Sequence, residues 1–186
     1  MKTMDILHTK PIITLDLTDS TINNLEHLLP IKPKRWGRMD ILSKFLIIGC
    51  AKVLEVAMSE LKQEVGLLCA TTYGSLSTDI EYAKTISIDV KEASPILFGY
   101  TLPNISLSEA AAFFKFKGAV YANIYDPNIT EEDMLTSVIK KAAIWLNSQE
   151  LTKSFIVCTI NFLTKEAQDR LKINRNLNKA LFTWVV

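Results

Sequence analysis

Apolar residues divide the chain into short continuous runs and longer stretches of helical period. From Asp40 onward, Ile41, Leu42, Phe45, Leu46, Ile48, Val53, Leu54, Met58 and Leu61 recur around most of a helical circumference. That pattern predicts a long, largely buried helix with Asp40 as its N-cap. Val65–Thr72 and Ser154–Ile160 are unbroken apolar runs of the kind that form strands buried on both faces. Pro11–Thr18, Ala119–Tyr125 and Lys179–Val186 are further strands, the second broken by Asp126-Pro127. Helices are expected over Thr21–Leu29, stopped by Pro30 and Pro33, and from Ser77 or Thr78 toward Ser87. Another is expected over Ser106–Phe116, with Ser106 as N-cap, Glu109 at the capping-box position and Gly118 as terminator. Thr130 opens a helix whose first turn holds Glu131, Glu132 and Asp133, favoured there by the helix dipole. Thr164–Leu171 is a polar helix or turn, and Ala93–Phe98 is expected to be a loop leading to Asn104. Alternating strands and helices predict an α/β layered fold, a single domain over residues 1–186. Pro30–Pro33 is its softest joint.

Composition narrows the function classes. Of 186 residues 48% are hydrophobic, enough for a full core, and the net charge of +1 implies no polyanionic partner. Lys32–Arg38 is the local basic excess and is expected to be a solvated loop, so nucleic-acid binding is not expected. Cys50, Cys69 and Cys158 lie singly in apolar segments and are expected to be reduced, buried thiols. The first residues lack an apolar signal region, and Phe45–Ala51, the longest apolar run, is too short to span a bilayer. The reduced thiols suggest a cytoplasmic protein.

No cluster of catalytic or ligating residues emerges. Glu131, Glu132 and Asp133 point in different directions on a helix, and Asp79, Glu81 and Asp89 are scattered without a histidine, so no metal is expected. Gly66, Gly74 and Gly99 form neither a dinucleotide fingerprint nor a phosphate loop, and no cofactor is implied. Ser75 and Ser77 lack the nucleophile-elbow pattern, and His27 is isolated. The aromatic set Phe113, Phe114, Phe116, Tyr121 and Tyr125 serves either core packing or a subunit interface. Alternation along Val120–Tyr125 places Tyr121, Asn123 and Tyr125 on one face of a strand; if it is an edge, its free backbone groups invite another chain.

Several ordered features resemble the N-terminal half of β-ketoacyl synthases. Arg38-Met39 precedes the long helix, and Gly66-Leu-Leu-Cys-Ala-Thr-Thr-Tyr-Gly-Ser-Leu76 is similar to the family's glycine-punctuated strand and turn. Ala93-Ser-Pro95, Phe98 and Asn104 match its next loop, Ser108–Phe116 its small-residue helix, and Gly118 the glycine opening the nucleophile strand. The likeness is strongest over residues 33–161. It implies a thiolase-like half, a layered mixed sheet with a buried helix.

In that family the nucleophile strand ends in a cysteine at a helix N-terminus, where the dipole lowers the thiol pKa. Counting from Gly118, the position falls at Asp126 and Pro127. A carboxylate cannot form a thioester, and proline lacks the N–H an oxyanion hole would use. The family's two catalytic histidines lie in its other half; His8 and His27 precede the matching region. The resemblance therefore implies a non-catalytic ketosynthase-like subunit of bacterial fatty-acid, polyketide or aryl-polyene-type pigment biosynthesis. Its expected partners are a second copy or a ketosynthase, through Val120, Tyr121, Asn123 and Tyr125, and an acyl carrier protein met by Lys34, Arg35 and Arg38. Half of a split condensing enzyme completed by another chain, and a small acyl- or carrier-protein-binding module, remain alternatives. The missing lobe would leave an apolar face, part of which the segment Phe182–Val186 is expected to cover.

Overall fold

The computed structural model describes residue 9 and residues 11–29, 31–57, 64–88, 93–148, 151–173 and 178–186. One mixed sheet organises them. Its strands are β1 (Ile13–Asp16), β2 (Val65–Thr71), β3 (Val120–Ile124), β4 (Ser154–Asn161) and β5 (Lys179–Val185), in the order β1-β5-β4-β2-β3. β2 pairs parallel with both β3 and β4, whereas β5 is antiparallel to β4 and β1. The helices are α1 (Asp19–Leu25), α2 (Ile41–Ala57), α3 (Leu76–Ile88), α4 (Pro95–Gly99), α5 (Pro103–Phe114), α6 (Glu131–Ser148) and α7 (Lys165–Arg170).

Alternation along the strands divides the core into two layers. Val65, Leu67 and Cys69 of β2, with Ile156, Cys158 and Ile160 of β4 and Phe182 and Trp184 of β5, face α2. Leu68, Ala70, Phe155, Val157 and Leu181 face α6, meeting Met134, Leu135, Val138 and Ala142. β2 and β4 are buried along their whole length, as their unbroken apolar runs predict. α2 is the buried helix. Phe45, Leu46, Ile47 and Ile48 are all at most 1% exposed, so consecutive faces are covered, the sheet on one side and α1 and α5 on another. A Cβ at Gly49 would stand 2.1 Å from the Phe182 ring, so that glycine sets how closely α2 lies on β5.

Asp40 begins α2 as expected. Its Oδ1 accepts the Ser43 N–H at 3.0 Å, and its carbonyl accepts the Lys44 N–H. The same carboxylate takes the Thr78 hydroxyl of α3 at 3.3 Å and the Ser106 hydroxyl of α5 at 3.5 Å, tying three helices together. Burial pushes its carboxyl above the ordinary value, and these hydrogen bonds oppose the shift.

Four expectations are corrected. Ala93–Phe98 is not a loop throughout: Ser94 caps the short helix α4, accepting the Leu97 N–H with Pro95 in the first turn. Ser106 is not an N-cap, because α5 starts three residues earlier at Pro103, whose fixed φ suits a first helical position. α5 ends at Lys115, which adopts a left-handed φ of 59°, and not at Gly118. Gly118 is instead a point of close approach. Its N–H reaches the Val65 carbonyl at 2.9 Å, and a Cβ there would stand 2.5 Å from the Gly66 nitrogen. Finally, Phe182–Val185 do not cover an outer face; they are interior to the sheet as part of β5, between β1 and β4. The expected extension of α2 to Leu61, and the positions of His8, Pro30 and Asp89, lie outside the described residues.

Candidate partner edge and the turn that follows it

β3 is an edge strand. The bonds from Leu67 N–H to the Ala119 carbonyl and from Tyr125 N–H to the Thr71 carbonyl show which residues serve β2. Parallel alternation then turns the backbone groups of Val120, Ala122 and Ile124 outward. Of these, the Ala122 N–H is taken by Asn104 Oδ1 of α5 at 2.8 Å. The side chain of Ile124, 61% exposed, stands at the end of this rim.

Tyr121, Asn123 and Tyr125 do share a face, and that face is held by α6. The Tyr125 hydroxyl meets Ser137 Oγ at 2.9 Å. Lys141 Nζ donates to Asn123 Oδ1 at 2.6 Å and lies 4.3 Å from the Tyr121 ring centroid. Tyr121 also meets Trp145 edge-on, with centroids 5.9 Å apart, and Lys141 lies 5.3 Å from the Trp145 ring. Steps of two along an extended strand advance about 6.6 Å, and steps of four along a helix about 6.0 Å. Residues 125, 123 and 121 therefore stay in register with 137, 141 and 145 as the two elements run in opposite directions. Asn123 adds a bond from Nδ2 to the Cys69 carbonyl at 3.2 Å. Val120 packs toward the α2 layer, and Tyr125 toward the α6 layer. The remaining aromatics pack together against the main core, Phe114 stacked on Phe116 and edge-on to Phe113.

After β3 the chain turns through Asp126 and Pro127 into α6. Asp126 Oδ1 accepts both the backbone and side-chain N–H groups of Asn128 at 2.8 Å, and the Asp126 carbonyl accepts Ile129 N–H. The carboxylate is thus occupied in its own turn. Thr130 caps α6 by accepting the Asp133 N–H at 3.1 Å, and its hydroxyl donates to the Asp133 carboxylate. Glu131, Glu132 and Asp133 are an acidic first turn, as expected. Tyr73, the 127–130 turn, Lys172 and Ile173 line a cleft of about 660 Å³ beyond the C-terminal ends of β2 and β3. The sulfur in the first turns of α6 belongs to Met134, a buried thioether facing the Thr72 hydroxyl.

All three cysteines are elsewhere and buried in the core between α2 and the sheet, Cys69 beside Cys158 on adjacent strands and Cys50 on α2. Burial drives the Cys50 and Cys158 thiols upward, and the proximity of Cys69 adds to both. Ser75 donates to the Thr101 carbonyl and Ser77 to the Phe162 carbonyl, so both serve structure. Of the basic run, Lys32 pairs with Glu26 at 2.5 Å and Arg35 approaches Glu109 at 3.9 Å. Among the described residues no group of histidines, cysteines and carboxylates could hold a metal, and no helix is long and apolar enough to cross a membrane. The sequence did not point to Lys141, to the roles of Trp145 and Asn104 at this edge, or to the inter-helix contacts of Asp40. The stripe Ser137–Lys141–Trp145, at helical spacing opposite an alternating strand, was the available signal for the first two.

No protein-family model matches the chain, and no curated protein does. Solved structures do match. A chain from the complex of a ketosynthase with its chain length factor from Xenorhabdus doucetiae superposes with a TM-score of 0.65 at 10% identity, over 96% of this chain and 78% of that one. The ishigamide ketosynthase/chain length factor matches with 0.60 at 13% identity, over 86% of this chain and 47% of that one. A chain from the complex of a type II polyketide synthase acyl carrier protein with its ketosynthase bound to the hexaketide matches with 0.64 at 12% identity, over 89% of this chain and 57% of that one. This chain thus spans about half the length of the last two. At such identities the likeness establishes the fold alone: the α/β thiolase-like architecture of these ketosynthase chains, with a layered mixed sheet and a buried helix.

Proposed function

We propose that the chain is a non-catalytic, ketosynthase-like subunit that works by pairing with a ketosynthase or with a second copy of itself. In this reading residues 1–186 form one domain, acting in the cytoplasm in bacterial fatty-acid, polyketide or aryl-polyene-type pigment synthesis, with an acyl carrier protein as a further partner. The observation that carries it is the turn after β3, where Asp126 is bonded within its own turn while the chain's three thiols are buried elsewhere in the core; in this reading Asp126 and Pro127 take the place of the family's nucleophile. A protein kept in this fold without the thiol has its surface left to offer. The strand Val120–Ile124 presents an edge that its own helix braces from behind through Asn123 and the following Tyr125. The structural neighbours include ketosynthases in complex with chain length factors, which supports pairing of this kind.

The test is co-expression with a ketosynthase, followed by size-exclusion chromatography with light scattering, for the native chain and for I124K. The native chain is expected to elute as a dimer or a heterodimer, and I124K as a monomer with unchanged unfolding. A native chain that stays monomeric with and without the ketosynthase removes the proposal. Acyl transfer that requires this chain and survives loss of the partner's own cysteine would replace it with the split-enzyme reading.

A further inference from the structure

A second groove lies apart from the β3 turn, between the 3-10 turn Trp36–Arg38, α4 and α5, with a volume of about 730 Å³. Ile96, Tyr100 and Ile105 contribute apolar wall, and Arg35, Arg38 and Glu109 supply the charge. The size falls within the range of about 300–1,000 Å³ of small-molecule sites. Ile96 is 49% exposed, an uncovered aliphatic side chain beside two guanidinium groups.

The charges do not cancel. Glu109 is engaged from two sides, accepting the Tyr100 hydroxyl at 3.1 Å and facing Arg35 at 3.9 Å. The Arg38 guanidinium has no carboxylate within pairing distance among the described residues. Two cations and one carboxylate line the groove itself, with the buried Asp40 carboxylate acting on Tyr100 from behind its wall, so Arg38 is the cation left to face the mouth. A lone planar guanidinium is suited to one carboxylate, which it grips with two parallel N–H donors. A dianionic phosphate would call for a second cation, and Arg35 already faces the Glu109 carboxylate at 3.9 Å. A peptide would set backbone N–H and C=O groups against the apolar wall, an unfavourable desolvation.

We propose that this groove binds a monoanionic amphiphile, its carboxylate on Arg38 and its aliphatic body against Ile96, Tyr100 and Ile105. This site is independent of the pairing edge, and its occupancy does not require that reading to hold. Titration of 15N-labelled protein with octanoate, with octanol and with acetate tests it. Octanoate is expected to move the amide signals of Ile96, Gly99, Tyr100 and Ile105. Octanol, with the same body and no charge, should bind about tenfold more weakly, and R38Q should weaken octanoate about tenfold while leaving octanol unchanged. A112F, which narrows the groove from the α5 side, should weaken both. The proposal is overturned if octanoate perturbs signals elsewhere, if octanol matches it, if acetate alone reproduces the shifts, or if R38Q binds octanoate as the native protein does.

Discussion

Replacing Lys141 by alanine removes the middle rung between β3 and α6. Its ammonium makes one charge-assisted bond at 2.6 Å to Asn123 and lies within cation–π range of Tyr121 and Trp145. Such a bond contributes about 1.5–3 kcal/mol when desolvated. Lys141 is only half-buried, so solvent screening brings that to about 1 kcal/mol. Each ring adds about 0.5 kcal/mol at a partly exposed site. K141A should therefore lose about 2 kcal/mol, or roughly 4–8 °C in Tm for a chain of this size. Urea unfolding of K141A, N123A and the double variant gives the pair's coupling, expected near 1 kcal/mol. The cycle is needed because Asn123 also bonds the Cys69 carbonyl, so N123A alone overstates the rung. K141M keeps the aliphatic stem and drops the charge; if it unfolds within about 0.5 kcal/mol of the native chain, the rung does not brace the strand.

Two further outcomes are expected. Ellman's reagent should label none of the three cysteines in the folded protein at neutral pH and all three in denaturant, because each is buried; one fast-reacting thiol in the folded state contradicts this. At Asp40 the sign follows from the raised carboxyl pKa: its favourable contribution is present below the ordinary carboxyl range of about 4 and is lost as pH rises through the raised folded value. Urea unfolding should therefore show D40N gaining on the native chain between pH 4 and pH 7, with a difference within about 1 kcal/mol at pH 7. D40A, which strands the Ser43 N–H and the Thr78 and Ser106 hydroxyls, should cost about 2 kcal/mol. Equal losses for D40N and D40A would refute the hydrogen-bonding role.

Much of the fold was legible because local pattern and burial coincide. β2 and β4 are continuous apolar runs and are buried throughout, and α2 is apolar around its circumference and is enclosed. α4 escaped because a five-residue helix opened by Ser94 and Pro95 has the composition of a turn. The start of α5 was displaced because Ser106 has the chemistry of a cap but spends it on Asp40, 66 residues away. The place of β5 was hidden for a different reason: a run of apolar residues specifies burial, not which neighbours a strand will have. At the candidate site, alternation exposed the common face of Tyr121, Asn123 and Tyr125. Its opposing stripe was obscured because Ser137 and Lys141 are polar and fall outside a search for core periodicity.

The insertion of β5 between β1 and β4 carries a consequence for how the molecule comes together. Ile13 finds its neighbour only at Phe182, so the first strand has nowhere to dock until nearly every other element exists. Ordering so long an intervening loop precedes any reward from the contact, which favours slow, late closure on the β1 side. The parallel trio β2, β3 and β4, with α6 over it, can form without waiting, so the half of the molecule carrying the proposed pairing edge would mature first.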